Sequence, residues 1–257
     1  FEILRTRQTT AKVRAAIIVI VPIVISVVLL HSYKPSSRTT EISVIQPNVP
    51  CYEDEREASG KMQPTSDIMK LISEVPSSSR YMLMPESALT YIPGIGSIDE
   101  ARMEIMTPFL DALMGESNAT TKLITGASTT IRYGDTPATN TARYFEGYGW
   151  YDHYNSALLV NNDGDVEDIY HKGKLVIGVE AVPLKSLFDI FEIDLGGITG
   201  QLGWGKEYTI FDNEGVKIGP SICYEGLYGN YFAGFARNGA EIMALISNDG
   251  WWGNTPG

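Results

Sequence analysis

Three side chains, far apart in the chain, carry the types and local settings that acyl chemistry needs. Cys223 stands in GPSICYEGLYG, behind the apolar run VKIGPSI and ahead of a stretch with helical spacing. A cysteine on a strand-to-helix turn is presented at a sheet edge with its sulfur near a helix N-terminus. There the thiol pKa falls and the thiolate becomes available as a nucleophile. Glu86 follows a short apolar run in LMPES. A carboxylate at the end of a buried strand is poorly solvated, which suits a general base. Lys172, in IYHKGKLVIGVEAVP, follows the second strand of an expected hairpin, where it can set a fixed positive charge beside a thiolate and a developing oxyanion. Each residue has an ordinary alternative. Cys223 can be plain core packing or a disulfide partner of Cys51, Glu86 a first-turn helix glutamate, and Lys172 a solvated strand-end lysine with Lys174 as its competitor. Taken one at a time, none decides; the joint order Glu, Lys, Cys does.

The elements that must position them follow from the hydrophobic pattern. EISVIQ (41–46), YMLMP (81–85) and KLITGAST (122–129) read as strands, and SDIMKLISEV (66–75) has apolar residues at helical spacing. IDEARMEIMTPFLDALM (98–114) reads as one helix. SALLV and DVEDIYHK flank NNDG (161–164), and YTIF and VKIGPSIC flank DNEG (212–215), two hairpin signatures. YGNYFAGFARNG (228–239) reads as a helix with a glycine stop and EIMALIS (241–247) as the next strand. Mixed β-α order with hairpins predicts an α/β domain of sheets covered by helices over residues 41–257. The acidic run YEDERE (52–57) reads as a solvated loop or helix start, and His31, His153 and His171 form no metal-ligand spacing, so no metal is expected.

Ahead of this domain, Ala15 to Leu30 is an uncharged run of sixteen residues, about 24 Å as a helix and a little short of a ~30 Å hydrocarbon core. Arg14 and His31 can snorkel to close the gap, and membrane helices tolerate a kink at Pro22. A buried strand pair and a cleaved signal peptide are the alternatives, the second weakened because HSYKPSS lacks a small-residue cleavage pattern. The expected organisation is a cytoplasmic basic segment (1–14), a transmembrane helix (15–30), a polar linker (31–40) and the α/β domain. The chain carries a net charge of −11, with about +3 in residues 1–14 and −14 in the remainder. Basic residues before the helix favour the cytoplasmic side, so the body belongs across the membrane. An acidic body excludes nucleic acid as a partner, because phosphate binding needs basic surface. Phe1 and Gly257 read as cut points in a longer chain.

The motifs QPN (46–48), MPES (84–87), YHKGKLVIGVEAVP (170–183), ICYE (222–225) and SNDGWWG (247–253) resemble the nitrilase superfamily of carbon-nitrogen hydrolases. With a membrane helix in front, they resemble its apolipoprotein N-acyltransferase branch. The resemblance implies an αββα sandwich, preceded here by the transmembrane helix, with part of the C-terminal sheet missing. It implies Glu86 as general base, Lys172 as oxyanion-stabilising lysine and Cys223 as nucleophile, supported by Glu180 and Glu225. Tyr224 and Trp251 match aromatic positions near the substrate entrance, with core packing as their alternative. Many members read LVPFGE where this chain has LVIGVE, and VPCYEDER after QPN lacks a tryptophan common there. The implied activity moves an acyl chain from a phospholipid donor to the N-terminal amine of a diacylglyceryl-modified lipoprotein. No cofactor is needed, and the setting is a bacterial inner membrane with the catalytic domain on the periplasmic side. The rival readings are a membrane-tethered amidase acting on a small amide and a non-catalytic membrane-anchored binding domain.

Overall fold

Uncharged β-branched and leucine side chains with no polar stripe dictate the first element. Helix α1 (Thr9–Ser32) contains Pro22 and passes as a membrane span by length and composition, with a mean hydropathy of 2.9 in its most apolar 18-residue window. At 1.5 Å per residue it is about 36 Å long, more than the apolar run alone supplies. It therefore reaches into both flanks that the sequence assigned to the basic segment and the linker. The computed structural model describes residues 9–34, 37–48, 64–90, 92, 95–115, 120–181 and 202–248. Cys51, the acidic run 52–57 and Trp251 lie outside them. The chain divides into two compact units, Phe1–Thr39 and Thr40–Gly257.

In the second unit, strands β1 (Ile42–Val44), β2 (Tyr81–Leu83), β3 (Ser97–Asp99), β4 (Lys122–Gly134), β5 (Arg143–Phe145), β6 (Gly149–Val160) and β7 (Val166–His171) form one mixed sheet. Its main path is β1-β2-β4-β6-β5, with β3 on β4 and β7 on β6. The first three are parallel and β6 turns back antiparallel to β4, β5 and β7. A second sheet holds β8 (Phe211–Asn213), β9 (Val216–Ile222) and β10 (Ile242–Ile246) in the order β10-β9-β8. The β8–β9 turn puts Glu214 and Gly215 at φ 51° and 81°, the two positive values that a tight hairpin turn requires.

Alternation along the strands sorts the core. Leu158 and Val160 of β6 and Met82 of β2 pack with Ile68 and Ile72 of α2 (Pro64–Ser73) and Leu110, Leu113 and Met114 of α3 (Thr107–Met114). Ala157 and Leu159 point the other way, into a cluster with Tyr81, Ile124 and Tyr170 of the first sheet and Ile218, Ile222, Ala244 and Ile246 of the second. Helix α4 (Gly229–Arg237) covers the far side of β9, where a Cβ on Gly219 would stand 2.7 Å from Phe235 Cβ. The order of layers is helix, sheet, sheet, helix.

One expectation fails. Residues 98–114 are not a single helix: they form the end of β3, a 3-10 turn (Glu100–Ile105) and α3. Asp99 caps the turn by accepting from Ala101 N–H at 3.1 Å, and Arg102 leaves helical geometry at φ −136°. Pro108 lacks an N–H and so opens a new helix rather than continuing the old one.

Candidate functional site

Glu86 is placed by a backbone contact that only glycine permits. After β2, Met84 N–H donates to Ile124 O at 2.8 Å and Gly126 N–H to Pro85 O at 3.2 Å, holding the MPES turn against β4. A Cβ on Gly126 would lie 2.3 Å from Ser87 N and 2.6 Å from Glu86 Cα. Ser87 takes a positive φ of 57° and turns the chain away, leaving the Glu86 side chain buried.

Lys172 arrives from the end of β7, whose pairing with β6 is prolonged when Lys172 N–H donates to Asn155 O at 2.9 Å. On the outer face just before it, the Ser156 hydroxyl lies 2.9 Å from His171 Nδ1 and 2.8 Å from the Thr129 hydroxyl. Lys172, at 1% exposed, is the lysine that the fold buries among these residues. Lys174 instead sets its ammonium over the ring of Tyr231, 5.0 Å from the centroid. The Lys172 ammonium donates to Glu180 Oε1 at 2.8 Å and Glu86 Oε1 at 3.2 Å. Burial alone would push the ammonium down. The charges of Glu86 and Glu180 outweigh it and hold Lys172 above the ordinary lysine range.

Glu180 is carried by the loop after Lys172. Its backbone N–H donates to Val176 O at 2.9 Å, and Val176 N–H returns a bond to Glu180 Oε2 at 2.8 Å. Gly178, at φ 90°, makes the bend. The departure LVIGVE therefore still closes a tight loop that brings its carboxylate to the lysine, and it leaves Ile177 and Val179 more than half exposed.

Asn155 was missed by the sequence reading. Its Nδ2 donates to Glu86 Oε1 at 2.7 Å and to Glu180 Oε1 at 2.9 Å, bridging the two carboxylates from β6. The signal was weak but present: in YNSALLV an amide occupies the inward parity of Ala157 and Leu159, a polar residue at a core position. Glu86 Oε2 is left buried without a hydrogen-bond partner among the described residues. A free lone pair at that position is what proton acceptance requires.

Cys223 closes β9 and is a free thiol with φ 49°, the left-handed region that a non-glycine residue occupies under strain. The element after it differs from expectation. It is a five-residue 3-10 turn (Cys223–Leu227), and α4 begins only at Gly229. The lowered thiol pKa expected from a helix N-terminus is also corrected. Burial pushes the Cys223 thiol up and the negative charge of Glu86 adds to it, while Ser247 and Lys172 pull it back without prevailing. The resting sulfur is therefore protonated and needs a base. Ser247 follows β10, whose parallel register sets Ile246 beside Ile222.

Glu225, fully buried, ties the two sheets together. Oε1 accepts from Gly173 N–H at 2.6 Å, Tyr170 O–H at 2.7 Å and Lys174 N–H at 3.1 Å. Oε2 accepts from Ile222 N–H at 2.7 Å and the Ser221 hydroxyl at 3.4 Å. Burial pushes this carboxyl up and the hydrogen bonds hold it back. Tyr224 meets Tyr228 edge-on, ring centroids 5.3 Å apart. Among the described residues, no group of three or more His, Cys, Asp or Glu could hold a metal ion.

Comparison with known proteins bears on the family of this chain. A family model described as carbon-nitrogen hydrolase matches residues 42–257. The chain is 24% identical over 267 residues to the apolipoprotein N-acyltransferase of Chlorobaculum tepidum, covering 96% of this chain and 48% of that protein. It is 35% identical over 107 residues to that of Bdellovibrio bacteriovorus, covering 40% of this chain and 19% of the relative. The chain thus spans about half the length, or less, of these relatives. Among solved structures, Nit3 of Saccharomyces cerevisiae, described as a member of branch 10 of the nitrilase superfamily, superposes with a TM-score of 0.50 at 16% identity. That match covers 81% of this chain and 64% of Nit3. The family match covers residues 42–257, most of the chain, and on that ground the chain belongs to the carbon-nitrogen hydrolase family.

Proposed function

We propose that this chain carries the catalytic domain of a membrane acyltransferase. It moves an acyl chain from a phospholipid to the N-terminal amine of a diacylglyceryl-cysteine lipoprotein through a thioester on Cys223. The observation that carries the reading is the hydrogen-bonded group Glu86–Lys172–Glu180–Asn155 set beside the strained Cys223. Two further features favour lipid over a small amide: the apolar helix α1 and the exposed Ile177 and Val179 on the loop that holds Glu180.

In this mechanism Glu86 Oε2 takes the Cys223 proton as sulfur attacks the ester carbonyl. Lys172 and the backbone N–H after Cys223 stabilise the tetrahedral oxyanion. Proton transfer neutralises Glu86, which frees part of the Lys172 charge for the new anion. The ester C–O bond breaks, and the lysophospholipid leaves as an alcohol after taking the proton back from Glu86. The amine then attacks the thioester and gives a proton to Glu86. The C–S bond breaks, the Cys223 thiol is restored and an amide remains. Glu180 and Asn155 hold Lys172 and Glu86 in register, and Glu225 holds the Cys223 turn. In this reading Tyr224 and Trp251 are assigned to substrate contact. The body works on the periplasmic side of a bacterial inner membrane, and α1 keeps the site where both lipids are, sparing the extraction of acyl chains at about 0.8 kcal/mol per CH₂.

The test is intact-mass measurement of the chain incubated with phospholipid vesicles, then with a diacylglyceryl-cysteine peptide. The expected result is one added acyl chain on the protein, lost on addition of peptide and absent in Cys223→Ala. An adduct that persists in Cys223→Ala removes Cys223 as nucleophile. Ammonia release from small amides with no acyl adduct establishes the amidase reading instead.

A further inference from the structure

Beyond the site, β4 and β6 do not stop where the sandwich does. Gly126 of β4 stands against Glu86, yet β4 runs on for eight more residues to Gly134, roughly 26 Å at 3.3 Å per residue. β6 returns alongside from Gly149 to Asn155, and β5 adds a third strand to its outer end. Because β2 and β4 are parallel and Glu86 follows β2, this arm leaves the sheet at the end where Glu86 and Lys172 stand. The β6–β7 turn at Asn161–Gly164 lies at the opposite end.

The arm's composition departs from that of the body. Residues 131–151 hold six aromatic side chains among twenty-one, against 10% in the whole chain, and their two arginines balance Asp135 and Glu146 in a molecule of net charge −11. Tyr144 and Phe145 near the tip are 60% and 64% exposed. Tyr144 leans on Trp150 on one face, centroids 5.6 Å apart. On the other face Arg132 lies 3.9 Å above the Tyr148 ring, Tyr148 meets Tyr151 at 5.3 Å and Tyr151 meets His153 at 5.0 Å. By strand alternation that second face is the one that carries Asn155, so the aromatic track leads back toward the site.

We infer that the arm formed by residues 131–151 is a membrane-docking element whose tip, Tyr144 and Phe145 with Trp150, enters the headgroup–acyl boundary of the lipid bilayer and sets the height of the Cys223 site above it. Amphipathic rings beside arginine are what that boundary accommodates. An electrically balanced tip meets an anionic lipid surface without the repulsion that the acidic body feels. The inference rests on the reading that the substrates are lipids, since it is the end shared with the site that directs the arm at a bilayer.

The test uses the full chain in vesicles of phosphatidylethanolamine and phosphatidylglycerol, with a nitroxide at Phe145→Cys in a Cys51→Ser, Cys223→Ser background. A second label at Asp163→Cys, on the opposite turn, is the aqueous reference. The expected result is a label at 145 that collides with oxygen in preference to a water-soluble nickel chelate, and the reverse at 163. Equal nickel access at the two positions overturns the inference. In chain with native cysteines, Tyr144→Ser with Phe145→Ser is expected to slow acylation of Cys223 from vesicle phospholipid by about tenfold. Alkylation of Cys223 by iodoacetamide reports that the site remains folded, and unchanged vesicle acylation in that variant also overturns the inference. A lipid-buried label on a chain whose native form gains no acyl adduct sinks acyl transfer and supports the docking arm, so the two failures are distinct.

Discussion

Replacing Lys172 by methionine tests whether the site is held by balance of charge. The lysine is 1% exposed and donates at 2.8 Å and 3.2 Å to two carboxylates that are themselves largely buried. Methionine fills a similar volume, so little of the effect comes from packing. What it removes is the only cation in contact with Glu86 and Glu180 among the described residues, taking the net charge of the three-residue group from −1 to −2. Breaking a buried pair by deleting one partner costs about 3–5 kcal/mol. For a unit the size of Thr40–Gly257, at about 2–4 °C per kcal/mol, the midpoint should fall by roughly 6–20 °C. Tryptophan fluorescence of the detergent-solubilised chain during thermal unfolding measures it. Adding Glu180→Gln returns the group to −1, and the double variant should regain about half of the loss or more, a non-additivity expected of residues in one network. The balance argument fails if Lys172→Met melts within ~2 °C of the native chain, or if the double variant melts below the single one.

Other expectations concern the sulfur, the turn and the bridge. Because burial and the Glu86 charge raise the Cys223 thiol, the folded state binds its proton above the ordinary ~8.5 of an unfolded cysteine. Stability should therefore decline as pH rises from that value through the folded pKa, and urea titrations of Cys223→Ala should lack the decline. For the same reason Glu86→Gln should move the pH midpoint of Cys223 alkylation downward while slowing acylation by about 10²–10⁴-fold; loss of activity with an upward midpoint would contradict the assignment. Gly126→Ala drives a Cβ into the backbone of Glu86 and Ser87, and should lower stability by about 1–3 kcal/mol and abolish acylation, read by urea unfolding and intact mass. Asn155→Ala leaves two carboxylates each short of a donor, and should slow acylation by roughly 10–100-fold with the thiol still alkylated.

Much of this was legible because strong local signals coincide with elements. NNDG and DNEG mark real hairpins, and the apolar runs at 81–85, 122–129 and 216–222 become strands. Where the reading failed, tertiary structure overrode spacing. Periodicity carried 98–114 across Pro108, which instead starts a helix. The helical spacing after Cys223 suggested a helix N-terminus, but the chain there forms a 3-10 turn, and burial together with the Glu86 charge moves the thiol pKa up instead of down. The arm at 131–151 left no simple alternation, because a bulge between Arg132 and Gly134 and the glycines at 147 and 149 interrupt it. Asn155 was invisible for another reason: its meaning depends on Glu86 and Glu180, distant in sequence and joined only by the fold.

The candidate site is split between the two sheets, and this explains why a carboxylate outside the reacting group is so deeply engaged. Glu86, Asn155, Lys172 and Glu180 all belong to the first sheet or the loop leaving it, whereas Cys223 ends a strand of the second. Apolar contact between the sheets fixes their spacing but is non-directional, so it cannot by itself hold a thiol to hydrogen-bond precision. Glu225 supplies the direction. Its two oxygens take backbone N–H groups from Gly173 and Lys174, directly after the lysine, and from Ile222, directly before the cysteine. A positive φ at Cys223 costs of order 1–3 kcal/mol, and it persists where neighbouring bonds over-determine the turn. The Ile222 N–H bond is one of those bonds, so the same carboxylate that joins the sheets also sustains the strained turn. A charged acceptor is suited to this because charge-assisted bonds are the stronger kind, and the five donors around this buried carboxylate offset part of the burial that opposes its ionisation.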